Sequence, residues 1–301
     1  MNWTPAIKGF KSYLQLERSL SENSVQAYLH DVNMLVQYLE INKLNYTPTN
    51  IEQKHIENFI QSISEMGMSA TSQARILSGL KAFFKYMLIE DMIKVSPTQL
   101  LEAPKIGRKL PDTLSITEIN SIIEAIDLST NEGERNKAML ETLYSCGLRV
   151  SELVNLKLSK LMLDEGFIIV TGKGDKERIV PIGSVAQKHI QIYITSIRNH
   201  MLTIKKESED VLFLNRRGAK LSRVMVFTII KQLVQKAGIH KNVSPHTFRH
   251  SFATHLVEGG ADLRAIQEML GHESITTTEI YTHLDRDYLR QAIIDYHPRS
   301  K

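Results

Sequence analysis

Six residues between positions 149 and 281 have the types needed to work on a phosphodiester. They sit in four short stretches: GLRVSEL at 147–153, TGKGDKER at 171–178, HTFRH at 246–250 and GHESITTTEIYTH at 271–283. These supply Arg149, Lys173, His246, Arg249, His272 and Tyr281. A phosphodiester resists nucleophiles because its non-bridging oxygens are negative. Guanidinium groups grip such oxygens as planar forks and keep their charge. They can also stabilise the extra charge of a five-coordinate transition state. Arg149 and Arg249 are the candidates for that role. Lys173 is a candidate acid for the departing oxygen. His246 and His272 could donate hydrogen bonds or take the tyrosine proton, and the residues alone do not choose. Tyr281 is the candidate nucleophile. A phenol of pKa about 10 attacks only when cations and a base help remove its proton. The resulting ester would conserve the energy of the broken bond, so rejoining would need no ATP.

Each residue alone has a plainer reading. A single arginine is usually a surface or salt-bridged side chain. The GKG of 172–174 lacks the GxxxxGK[ST] pattern of a nucleotide loop and by itself is a turn with a solvated lysine. Most of the ten tyrosines belong in cores or interfaces. The pair His246-x-x-Arg249 is stronger. That spacing puts both on one face of a helix, with Phe248 and Phe252 turned to the core. A metal centre is not expected. His246, His250, His255, His272 and His283 look numerous, but HTFRH lacks the glutamate of HExxH, no cysteine pair exists and the arginines would repel a cation. His250, His255 and His283 are read as structural.

The rest of the chain must position these groups. At 301 residues with 42% hydrophobic content, two domains with real cores are expected. A formal charge of +4 is compatible with a nucleic-acid partner without requiring one. The single cysteine, Cys146, excludes an intrachain disulfide, which suits a reducing cytoplasm, and is read as a small buried hydrophobe. The start, MNWTPAIKGFKSYL, has no apolar core like that of a signal peptide, and no run of about 18 apolar residues is present to span a membrane.

Residues 1–102 read as an N-terminal helical bundle. Ile7, Phe10, Leu14 and Leu16 mark a first helix. Ser21 and Glu22 open a second, with Val25, Leu29, Val32, Leu35, Val36 and Leu39 on its apolar face. TPTN at 47–50 is a breaker before Ile51, Ile56, Phe59, Ile60 and Ile63. Ser69 or Thr71 caps a fourth helix with a stripe from Ile76 to Met87. APKIGRKLPD at 103–112 is the linker, its basic residues either touching a phosphate backbone or simply solvated. Residues 113–301 form the second domain. FIIV at 167–170 and RIVPI at 178–182 flank a hairpin. Ser244 caps a helix with Pro245 in its first turn, closed by Gly259 and Gly260. DLRAIQEML ends at Gly271, a further helix covers roughly 275–283, and a last one spans about 285–295 with Leu289, Ile293 and Ile294 apolar. The fold class is therefore mainly α with a small β-hairpin or sheet.

The order Arg, Lys, His-x-x-Arg, His, Tyr resembles that of the tyrosine recombinases of the phage integrase family, Xer type. Three further stretches are similar to Xer proteins: LERSLSENSVQAYLHDV at 16–32, RNKAMLETLYSCGLRVSEL at 135–153 and the ending HPRSK. The resemblance covers essentially the whole chain. It implies an N-terminal core-DNA-binding domain and an α+β catalytic domain closing on double-stranded DNA at a recombination site. It implies Tyr281 as nucleophile through a 3′-phosphotyrosyl link, Arg149 and Arg249 on the phosphate, Lys173 as acid, and His246 and His272 assisting. It further implies no cofactor, no metal and no membrane partner. The working form would be a homo- or hetero-tetramer with a sister Xer recombinase, with a DNA translocase as activator and the 285–295 helix exchanged between subunits. Two alternatives stand beside it: a type IB topoisomerase or phage-type integrase, which the short length and lack of an arm-binding domain disfavour, and a basic DNA-binding protein with an inert site.

Overall fold

The computed structural model describes residues 2–104, 112–271 and 283–299, without the side chains of Lys173 and of 283–287. Two compact units emerge, 1–109 and 110–301. Most of the linker and the helix expected at 275–283 lie outside the described residues, as do His272 and Tyr281.

The first unit is four helices: α1 (Trp3–Leu16), α2 (Glu22–Ile41), α3 (Gln53–Glu65) and α4 (Ala70–Ile89). Serine hydroxyls start two of them. Ser21 accepts from the Ser24 amide and Ser69 from the Ser72 amide, each satisfying an amide that the first helical turn leaves open. The apolar stripes meet in a core built on Phe10, Leu35, Phe59, Phe83 and Phe84. Leu16 does not join it, being 80% exposed at the last residue of α1. Where α2 faces α4, Asp31 is buried and ion-paired with Arg75. Burial raises the Asp31 pKa, and Arg75 opposes that shift without overcoming it.

The second unit carries α5 (Ile116–Glu124), α6 (Asn131–Ser145), α7 (Val150–Val154), α8 (Ser184–Ser196), α9 (Arg223–Lys236), α10 (Pro245–Gly259), α11 (Leu263–Leu270) and α12 (His283–Tyr296). Between α7 and α8 lies an antiparallel sheet ordered β1-β2-β3, with β1 (Leu161–Met162), β2 (Phe167–Thr171) and β3 (Glu177–Pro181). The hairpin was expected; β1, two residues long and paired to Phe167 and Ile168, was not. Such a strand is too short to show a period in sequence. In the hairpin Val170 faces Arg178 and Ile168 faces Val180. Ile168, Val170, Arg178 and Val180 are all buried, so the inward face of β3 includes an arginine.

One core joins this unit, from Leu143 and Tyr144 on α6 to Phe248 and Phe252 on α10 and Leu289, Ala292 and Ile293 on α12. Cys146 is part of it, and burial pushes its thiol pKa well up, so it is an inert hydrophobe here. Leu289, Ala292 and Ile293 of α12 are thus covered by their own chain, while Tyr288 and Ile294 stay 47% and 44% exposed. Beyond α12 the His297 ring packs on Tyr144 and Phe252, and Arg299 pairs with Glu141 at 3.0 Å. No helix among the described residues is long and apolar enough to cross a membrane.

Candidate active site

The site begins where α6 stops. Gly147 takes φ +56°, and a Cβ there would lie 2.4 Å from Phe252 Cδ1. Only glycine can make this turn beneath α10. The turn delivers Arg149 to the N-cap of α7, where the Glu152 carboxylate accepts from its backbone amide at 2.8 Å. Gly147→Ala should lower stability by about 2–4 kcal/mol, combining left-handed strain with overpacking. Urea unfolding checks this; an unchanged midpoint would mean the turn relaxes freely.

The second arginine arrives on α10. Ser244 caps that helix with Pro245 in its first turn, as the sequence indicated, and Phe248 and Phe252 are fully buried. Arg249 therefore projects from the first turns toward the 147–152 turn. Its Nη1 donates to the Gly147 carbonyl at 2.7 Å and lies 3.9 Å from Glu152 Oε2. Glu152 is 4% exposed and serves a third guanidinium. Arg178 Nη1 and Nη2 clamp its two oxygens at 2.7 and 2.9 Å, and Arg149 Nη1 reaches Oε1 at 2.9 Å.

The same arginines cap the end of α11. Its final carbonyls, Met269, Leu270 and Gly271, accept respectively from Arg178 Nε at 2.8 Å, Arg249 Nη2 at 2.6 Å and Arg149 Nη2 at 3.2 Å. A helix C-terminus carries unsatisfied carbonyls and partial negative charge, so cations suit it. Gly271 closes the helix at φ +64°, and a Cβ on it would press to 3.0 Å from Arg178 Cδ.

The electrostatics favour an anion. Burial would raise the Glu152 pKa, but the bonds and charge of Arg178, then those of Arg149, hold its carboxyl below the usual range. One carboxylate facing three guanidiniums leaves positive charge in excess. Arg249 bears the cost: burial, then the charge of Arg149, lowers its pKa to about 10, with Glu152 opposing and Arg178 adding to the fall. It remains protonated at neutral pH. Exposure grades across the set, the side chains of Arg178, Arg249 and Arg149 being 8%, 11% and 38% accessible. Arg149 is therefore the arginine most open to an incoming ligand.

Of the six predicted site residues, the structure brings Arg149 and Arg249 together. The Lys173 backbone sits at the tip of the β2–β3 hairpin, where the Gly172 amide donates to the Lys176 carbonyl at 2.8 Å. His246 is exposed on the first turn of α10, one turn before Arg249. His255 is structural as expected, its Nδ1 lying 2.8 Å from the buried Tyr144 hydroxyl. Glu152 and Arg178 are site residues that the six-residue pattern does not include. Both carried a signal: Glu152 stands three residues after Arg149, as in a capping box, and Arg178 alternates with Val180 and Ile182 on one strand face. Burial alone would not have flagged Arg178, since Arg135 and Arg198 are also buried and bind only loop carbonyls and a neighbouring amide. Among the described residues, no three or more of His, Cys, Asp and Glu are grouped to hold a metal ion.

Comparison with known proteins places the chain. The model of the phage integrase family matches residues 112–287, and that of the phage integrase N-terminal SAM-like domain matches residues 7–91. The tyrosine recombinase XerD of Staphylococcus epidermidis (strain RP62A) is 42% identical over 294 residues, covering 98% of this chain and 99% of its own. XerD of Staphylococcus aureus (strain N315) gives the same identity and coverage. The N-terminal stretch of this chain leans toward the XerD branch over XerC, and both of these relatives are XerD proteins. A crystal structure of XerA recombinase shares 33% identity over 98% of this chain and 99% of its own, with TM-score 0.50. XerH recombinase bound to its difH substrate, at 24% identity, 96% and 84% coverage and TM-score 0.70, shares the fold. The residues at the arginine cluster and these relatives lead to one assignment: the chain belongs to the phage integrase family of tyrosine recombinases, Xer type, enzymes that cleave and rejoin DNA.

Proposed function

We propose that this chain is a site-specific recombinase that resolves chromosome dimers during bacterial chromosome segregation, in the cytoplasm, on a double-stranded DNA recombination site. Arg149 and Arg249 hold the scissile phosphate. Tyr281 attacks its phosphorus, the 5′ oxygen leaves as a hydroxyl protonated by Lys173, and the strand stays on the enzyme as a 3′-phosphotyrosine. His246 and His272 assist by hydrogen bonding and proton transfer. The 5′-hydroxyl of a partner duplex then reverses the step. The first unit grips the core DNA. Four subunits act together, with a sister Xer recombinase or as one kind, under a DNA translocase, and α12 passes from its own core to a neighbour in a cyclic ring.

The observation that best supports this reading is the meeting of two arginines from separate elements on one buried carboxylate, with positive charge left over at an accessible edge. That arrangement suits a phosphodiester whose charge grows during attack. Incubating the protein with a nicked suicide duplex, built on the core site it selects from a random library, should trap a covalent complex on a denaturing gel. The yield should be unchanged by a chelator. No adduct on any selected site would end the recombinase reading, and an adduct lost on chelation would bring back a metal.

A further inference from the structure

We propose that Arg178 is a positioning residue for strand transfer. It clamps the Glu152 carboxylate with both Nη atoms and the Met269 carbonyl with Nε, and so holds Arg149, Arg249 and the exit of α11 in one frame. The inference rests on the recombinase reading and adds a residue to it.

Arg178 differs from its two neighbours in what it can reach. Its side chain is nearly sealed, on the inward face of β3, whereas Arg149 opens to solvent. A ligand that meets Arg149 finds Arg178 almost wholly covered, with 8% of its side chain accessible. All three arginines bind the end of α11, yet among the described residues Arg178 alone grips both Glu152 oxygens with one planar guanidinium, whereas Arg149 meets Oε2 with its backbone amide and Oε1 with Nη1. The Glu152 orientation in turn fixes Arg149, which it holds by backbone and side chain together.

Arg178 also links parts that lie far apart in sequence. It belongs to the strand that leaves the Lys173 hairpin. An ideal Cβ on Gly172, at the hairpin root, would lie 3.7 Å from Arg178 Nη1 and 3.8 Å from Glu152 Oε1. Its Nε bond to Met269 comes three residues before His272. One guanidinium thus ties the hairpin bearing the candidate acid to the carboxylate beneath the phosphate arginines and to the helix end that leads into His272. Lysine cannot replace this, having one nitrogen and no planar fork.

The test compares Arg178→Gln, Arg178→Lys, Glu152→Gln and the Glu152→Gln/Arg178→Gln double variant, full length, on the nicked suicide duplex. Single-turnover cleavage and duplex affinity are measured separately. Arg178→Gln should slow cleavage about 10- to 100-fold, the range for a group that orients another through hydrogen bonds, with Kd within about threefold of wild type. Arg178→Lys should recover only part of the rate. The double variant should be no slower than the slower single, because one residue acts through the other. If Arg178→Gln does not fold, Arg178→Lys decides: slowed cleavage with intact binding supports the assignment, and the wild-type rate overturns it. Additive losses in the double variant, or cleavage and binding falling together, also overturn it. A wild-type chain that gives no adduct overturns the recombinase reading and this inference with it, whereas an adduct unaffected by Arg178→Gln overturns this inference alone.

Discussion

A chain carrying Tyr281→Phe is expected to form no covalent complex with the suicide duplex while still retarding it in a native gel. Phenylalanine keeps the ring and removes the one oxygen that would bond to phosphorus. Losing a nucleophile outright costs on the order of 10,000- to 1,000,000-fold where no other group can substitute. The other tyrosines of the catalytic unit are poor substitutes. Tyr144 is buried against His255, and Tyr193 is buried and takes an amide bond from Leu214; burial raises both phenol pKa values, opposing the phenolate that attack requires. Tyr288 is also shifted upward, by burial and then by its hydrogen bond to Asp262. Tyr296 lies over Gly259 and Gly260, about 15 Å along α10 from Arg249 at 1.5 Å per residue. In the sequence, Tyr281 is flanked by two anchored points. Gly271 is held by Arg149, and α12 by its buried apolar face. An adduct in the phenylalanine variant, mapped by peptide mass, would pass the role to whichever residue carries the DNA.

Much of this was legible because it is local. The caps at Ser21, Ser69 and Ser244 are contacts of three residues' reach, each marked by a hydroxyl ahead of an apolar stripe, and the structure decides for Ser69 over Thr71 at the fourth helix. Gly271 marks a stop in the sequence because a left-handed C-cap favours glycine. The hairpin followed from two β-rich runs around a glycine-rich turn. What the sequence hid depends on contacts across long separations. Glu152 becomes a hub only when residues 178 and 249 arrive from other elements. Arg178 resembles any charged residue beside a turn until the strand register turns it inward. The α12 stripe showed that something covers it, but an apolar face does not name its partner. Here that partner is the chain's own core.

Arg249→Ala is expected to lower cleavage by about 100- to 1,000-fold, the cost of removing one preorganised donor from an oxyanion site, while duplex affinity falls far less. The reasoning starts from its unfavourable burial. A guanidinium whose pKa falls to about 10 in the folded chain is destabilised there relative to the unfolded chain. The unfolded chain holds that proton more tightly, so the penalty is present at neutral pH and is relieved only as pH climbs through about 10 toward the ordinary arginine range. Deleting the side chain removes that penalty and the repulsion of Arg149 and Arg178. Against this, the Gly147 and Leu270 carbonyls lose their donor, at about 1–3 kcal/mol each when left buried and unpaired. The two effects oppose each other, so the melting temperature should move modestly while catalysis drops steeply. Duplex affinity rests on many phosphate contacts, and one lost cation should lessen the slope of log Kd against log salt by about one. Arg249→Lys should sit between, keeping the charge without the fork. Measured together, cleavage rate, Kd and melting temperature separate the alternatives. Affinity collapsing in step with cleavage would make Arg249 an anchor for DNA, and a chain that melts far below wild type would make it a support for the α6–α7 turn.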